Sequence, residues 1–190
     1  MSSSGKWSLF IGTHSNHLYE ETSLERWPEI TIERHIEKSG EFSVTTAFGG
    51  MVNLWSYKAG SIEIELDNVV PTPTFTLGQS KDLWEVQRHH PGVWCFLSGK
   101  LMMFTIPSYA VRNLSFDEIT KALEFWDGVV QHAYDLRGDS PDGKKMQWMI
   151  SDIQLQKGYM HAGYPIRNYK NLFTYFVYPV TDLLVCKNVT

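Results

Sequence analysis

"MQWMISDIQLQKGYMHAGYPI", residues 146–166, joins two unlike pieces. The first belongs to the run "KKMQWMISDIQLQ", rich in β-formers, and reads as a strand. The second, "GYMHAGYPI" (158–166), sets a histidine and two tyrosines among small residues and closes on Tyr-Pro. Glycine permits the close approach of a ligand or of another backbone, so this composition reads as a strand passing near a cleft. The residues that stand out are His161 and Tyr164, with Gly163 between them, and Asp152 on the preceding strand.

Working outward, residues 115–136 carry the strongest helical signal. Ser115 and Glu118 form an S-x-x-E capping box, and Phe116, Ile119, Leu123, Trp126, Val130 and Ala133 recur at helical spacing. That stripe reads as core. "VWCFLSGKLMMFTIPS" (93–108) reads as two strands joined at Ser98-Gly99, and "SKDLWEVQRHH" (80–90) as a short helix capped by Ser80. Upstream come strands: "WSLFIG" (7–12), "EITIERHIE" (29–37), "EFSVTTAF" (41–48) and "GGMVNLWSY" (49–57). In "SIEIELDNVV" (61–70), Ile62, Ile64 and Leu66 alternate with Glu63, Glu65 and Asp67. "PTPTFTLG" (71–78) is extended, and its prolines keep it out of a central ladder. Strands at roughly ten-residue spacing with glycine punctuation predict an antiparallel β-sandwich. The expected class is α+β: a sandwich-like part over 1–78, then a mixed α/β part over 79–166.

The totals exclude several functions. A net charge of −4 argues against a nucleic-acid footprint, which needs a clustered basic face. No run of about 18 apolar residues exists, so no membrane span is expected. "MSSSGKW" lacks the apolar segment of a signal peptide, and two cysteines make no disulfide framework, so the chain leans intracellular. Seven tryptophans mean either bulky packing or a surface for flat or sugar-like ligands.

No complete catalytic constellation emerges. There is no His-Glu-x-x-His, the spacing that puts two zinc-binding imidazoles on one helical face. His14 and His17 have ligand-like spacing without a third ligand nearby. Gly-x-Ser-x-Gly and phosphate-binding glycine loops are absent, and Cys95 lies in an apolar strand where a thiol is inert. No catalytic residue and no metal ligand is assigned.

The residues do carry a resemblance. "KLMMFTIPS" (100–108), "ALEFWDGVV" (122–130) and the 146–166 stretch resemble, in this order and spacing, the enhancin-like metallopeptidases of peptidase family M-sixty. The nearest type is the animal TRP-channel-associated factors. Pro107, Trp126-Asp127, Asp152, Gln154, Gly158, Met160, His161, Gly163, Tyr164 and Pro165 match the family pattern. The resemblance covers about residues 7–166 and leaves 167–190 as a divergent tail. It implies an N-terminal β-sandwich leading into the N-terminal subdomain of a gluzincin, with the "HAGYPI" strand beside the active-site cleft, Asp152, His161, Gly163 and Tyr164 as cleft-rim candidates, and the alternative that His161 and Tyr164 satisfy buried hydrogen bonds within the sheet. It also implies zinc, but only in a full-length form, because the family's His-Glu-x-x-His helix has no counterpart here. The expected function is that of a truncated zinc metallopeptidase domain, inactive alone. The alternative is a non-catalytic binding module for a protein or glycoprotein partner, such as a membrane channel or a glycan.

Overall fold

Two sheets carry the chain in the computed structural model, which describes residues 7–14, 17–56, 58–156, 158 and 160–169. The first sheet is antiparallel and joins β1 (Trp7–Ile11), β2 (Ile32–Ile36) and β3 (Val52–Ser56) in the order β2-β1-β3. The second is mixed. It contains β4 (Thr74–Thr76), β5 (Trp94–Ser98), β6 (Met102–Pro107), β7 (Gln147–Asp152), β8 (Met160–His161) and β9 (Ile166–Tyr169), in the order β4-β5-β6-β7-β9-β8. Two α-helices, α1 (Lys81–Gln87) and α2 (Phe116–Arg137), and a short 3-10 turn at Ser108–Ala110 complete the described elements. The α+β class read from the sequence is the class observed.

Helix α2 forms where its sequence says. The Ser115 hydroxyl accepts from the Glu118 N–H, the Glu118 carboxylate accepts from the Ser115 N–H, and Gly138 ends the helix in the left-handed region at φ 66°. Because β6 and β7 run parallel, their link must cross over the sheet, and α2 is that crossover. Its Ile119 and Leu123 pack with Phe75, Trp84, Cys95, Leu97, Met102, Phe104, Ile106 and Met149 into the main core. Strand β6 thus sends Met102, Phe104 and Ile106 to the helix side. Buried Thr105 lies on the other side, where its hydroxyl accepts from Trp148 Nε1 at 3.0 Å. The three-stranded sheet meets that second side through Trp55, whose ring lies 6.1 Å from Trp148.

Asp127 on α2 fixes the β5–β6 connection. Its carboxylate accepts from the N–H groups of Lys100 (2.7 Å), Leu101 (2.8 Å) and Met102 (3.0 Å). A Cβ on Gly99 would lie 2.5 Å from Asp127 Oδ1, so only glycine lets the helix carboxylate reach the turn.

Several local expectations change. Residues 41–48 and 61–70, read as strands, form no ladder. Ile62 and Ile64 are half-buried and Leu66 is exposed, along one wall of an open cleft of about 1850 Å³ that Trp7, Leu9 and Ile11 also line. Alternation marks a face but supplies no pairing partner, and the intervening Glu63, Glu65 and Asp67 are poor strand formers. "PTPTFTLG" contributes only Thr74–Thr76, an edge strand parallel to β5, which suits its prolines. Ala133, read as part of the helix stripe, is exposed, and Tyr134 takes its place. The tail reading falls outside the described residues from position 170 onward.

Candidate functional site

Strands β8 and β9 form an antiparallel pair at the end of the mixed sheet, with β8 as its edge. His161, half-buried, stands opposite Arg167 in that ladder. Gly163 lies in the connection at φ +144°, a conformation that side chains disfavour, and a Cβ there would sit 3.5 Å from the Arg167 guanidinium. Tyr164 follows, its ring packed edge-on against Trp55 at 5.9 Å and Trp148 at 5.8 Å. Lys145 Nζ lies 5.4 Å from the centre of the same ring, within cation–π range. The exposure of Tyr164 is 36%, so the ring is both an anchor and a surface. His161, Gly163 and Tyr164 therefore share one edge hairpin.

Asp152 is placed differently. It ends β7, is 1% exposed, and both its oxygens accept from Arg26, from Nε and Nη2 at 2.8 Å each. This is a bidentate, charge-assisted pair. The third guanidinium nitrogen, Nη1, donates to the carbonyls of Trp27 (2.8 Å) and Pro28 (3.2 Å), bracing the loop that supplies the arginine. Two residues on, Gln154 bonds the same loop at both ends of its amide. Its Nε2 donates to the Ser23 carbonyl at 2.7 Å, and its Oε1 accepts from the Glu25 N–H at 2.6 Å. Ser151 is held as well: buried His14 donates from Nε2 to its carbonyl at 3.2 Å and sets its ring edge-on to Trp94 at 4.7 Å. Residues 151, 152 and 154 are thus each gripped by a different part of the segment 14–26.

The electrostatics follow from burial. Burial holds the His14 imidazole below its ordinary pKa of 6.5. The Asp152 carboxylate and the Ser151 carbonyl oppose that shift, and the Arg26 charge adds to it. Burial lowers the Arg167 pKa, against the pull of Asp152, and raises that of the Tyr164 phenol. Burial pushes the Cys95 thiol far up, in line with an inert core cysteine.

These groups do not fit a metal. His14 spends its Nε2 proton on a carbonyl, Asp152 is engaged through both oxygens by Arg26, and His17 lies apart, 3.9 Å from Glu29 on the surface. Among the described residues no group of three or more His, Cys, Asp or Glu side chains could hold a metal ion. Likewise, among the described residues no helix is long and apolar enough to cross a membrane.

Sequence reasoning missed Arg26, His14 and Trp55 as partners of the motif, and Asp127 as the brace of the β5–β6 turn. One signal was available. Asp152 and Gln154 put two polar groups on one side of an otherwise apolar strand end, which announces a polar partner on that side.

Comparison with known proteins supplies a frame. Residues 1–67 match the N-terminal domain of M60-like peptidases, and residues 68–182 match peptidase M60, enhancin and enhancin-like, a match running past Ile166 to 182. TRPM8 channel-associated factor 1 of Bos taurus is 29% identical over 161 residues, covering 82% of this chain and 17% of the relative. The chain therefore spans about a sixth of that relative's length. Among solved structures, a functionally unknown conserved protein from Bacillus anthracis superposes with a TM-score of 0.64 at 18% identity, over 90% of this chain and 36% of the other. The ZmpB metallopeptidase from Clostridium perfringens gives 0.54 at 13% identity, over 92% and 43%. At these identities the likeness is one of fold.

Proposed function

The chain belongs to the peptidase M60, enhancin and enhancin-like family, and from that premise we propose that it is the N-terminal half of a zinc-metallopeptidase-type domain, inactive by itself. The observation that carries this reading is a set of exposed apolar side chains on the elements that would border a catalytic half. Phe125, Val129 and Leu136 on α2 are 40%, 41% and 90% exposed, and Met160 on the edge strand is 50% exposed. Phe125, Val129 and Leu136 recur at helical spacing and make a second apolar face beside the buried one. Such surface is the signature of a packing partner that lies outside the described residues. In this reading His161, Gly163 and Tyr164 form the rim of the cleft, and Asp152 anchors that rim from below. The 190 residues contain no His-Glu-x-x-His, so in this reading the zinc ligands and the general base would belong to a full-length form. Zinc, when bound there, would activate water for peptide hydrolysis.

Zinc analysis and proteolysis assays test the proposal. The 190-residue chain is expected to hold far less than one equivalent of zinc and to leave a mucin-type glycoprotein uncut. A longer polypeptide from the same source is expected to hold one equivalent and to cut. Stoichiometric zinc or cleavage by the 190 residues alone would falsify the reading.

A second reading has its own support. Curated relatives carry the description TRPM8 channel-associated factor, and Trp27 and Phe48, 64% and 52% exposed, stack at 6.2 Å on the N-terminal part. Exposed paired aromatics are hot-spot material. In this reading the N-terminal part recognises a membrane-protein partner or a glycan without catalysis. A pull-down or glycan-array signal lost in Trp27→Ala supports it, and a signal indifferent to that change removes it.

A further inference from the structure

The hairpin that carries the rim candidates is tied to its own sheet by β9, which pairs with β7 over Ile166–Tyr169, and its approach and its turn are held from the other part of the chain. At its approach, Ser151, Asp152 and Gln154 are gripped by His14, Arg26 and the Ser23–Glu25 backbone. At its turn, Tyr164 is packed against Trp55 of β3. Strand β8 itself has only two residues in its ladder with β9. A two-residue edge ladder is too short to set its own position. We infer that the N-terminal part is the frame that sets the cleft-edge hairpin, with Arg26, Gln154 and Trp55 as positioning residues. The inference rests on the peptidase reading only for what the hairpin is used for.

The physical argument turns on geometry as well as charge. A guanidinium meets a carboxylate through two parallel bonds and so fixes the angle of approach as well as the distance. Arg26 is itself tied to the Trp27 and Pro28 carbonyls, so its fork is aimed before Asp152 arrives. Lysine at this position would keep the charge and lose the aim. Gln154 adds a second two-point contact two residues, or about 7 Å, further along the chain, so the end of β7 can neither slide nor rotate. Asp152 and Gln154 of the family pattern thereby act at the join between the two matched regions, 1–67 and 68–182.

Hydrogen exchange on the 190-residue chain, read peptide by peptide, tests the inference. In Arg26→Lys and in Gln154→Ala, amides of 160–167 are expected to exchange at least about tenfold faster, while those of α2 keep wild-type protection. Trp55→Leu is expected to do the same from the turn end. Gln154 is partly exposed, so its variant folds even where a change at Arg26 does not. Wild-type exchange at 160–167 in Gln154→Ala and Trp55→Leu would overturn the inference. So would equal loss of protection in α2 and the hairpin, because the contacts would then hold the whole fold rather than place one edge. None of these readouts uses zinc or peptide, so they stand or fall separately from the peptidase reading. In a longer, active polypeptide the same variants should raise KM for peptide and leave kcat nearly unchanged.

Discussion

Residues 147–152 and 61–66 make an instructive pair. "QWMISD" breaks the simple alternation of a strand, yet it is the central strand β7, buried on both faces and paired on both edges. "SIEIEL" alternates without fault, yet it forms no ladder and lines an open cleft. The difference lies in partners. β7 finds β6 and β9 at its edges, the α2 core on one face, and Trp55 and Arg26 on the other. Alternation tells which side chains share a face. It does not say that anything comes to meet that face.

If partners decide the outcome, mutations should scale with them. The largest effect belongs to Asp152→Ala, which strands the buried Arg26 charge. A loss of about 3–5 kcal/mol is expected in urea unfolding. A loss under 1 kcal/mol would mean the clasp contributes little beyond what solvent supplies. Next comes Asp127→Ala, which unpairs three N–H groups at the β5–β6 turn and is expected to cost about 2 kcal/mol by the same measurement. A smaller effect is read through pH. The folded His14 is held below its ordinary pKa of 6.5, so the unfolded chain takes up its proton first. Its contribution is complete above 6.5 and declines as the pH falls through and below that value. Thermal melts from pH 8 to 5 should show this decline, and His14→Gln should flatten it. The smallest effect belongs to the other side of the comparison. Ile64→Ser is expected to change stability by about 0.5 kcal/mol or less. A loss of several kcal/mol there would show that 61–66 has a packing partner after all.

The same distinction separates what was legible in the sequence from what was not. The capping box gave both the start and the reason for α2, because Ser115 and Glu118 are three residues apart. The β5–β6 hairpin and the short α1 helix were readable for the same reason: their signals are local. The motif 146–166 led to the right family and marked His161, Gly163 and Tyr164, which the fold gathers on one hairpin. The partners of that motif were not readable. Arg26 sits in the stretch "TSLERW" (22–27), and nothing near it in the chain points to residue 152. His14 and His17 have ligand-like spacing, whereas His14 is buried against Ser151 and Trp94. Contacts across more than 100 residues leave no periodicity to read.

The clasp also has a history in time. Arg26 and Asp152 are 126 residues apart along the chain, so at ribosomal speed the arginine waits on the order of 6–25 s for its carboxylate. Over that interval α2 and the β5–β6 hairpin, whose contacts are local, can already form. The N-terminal sheet, by contrast, has no mixed sheet to cover, and its Trp55 and Phe10 face water. A nascent chain of this design is most in need of a chaperone before β7 emerges, and synthesis halted between residues 60 and 150 is the point at which aggregation should begin.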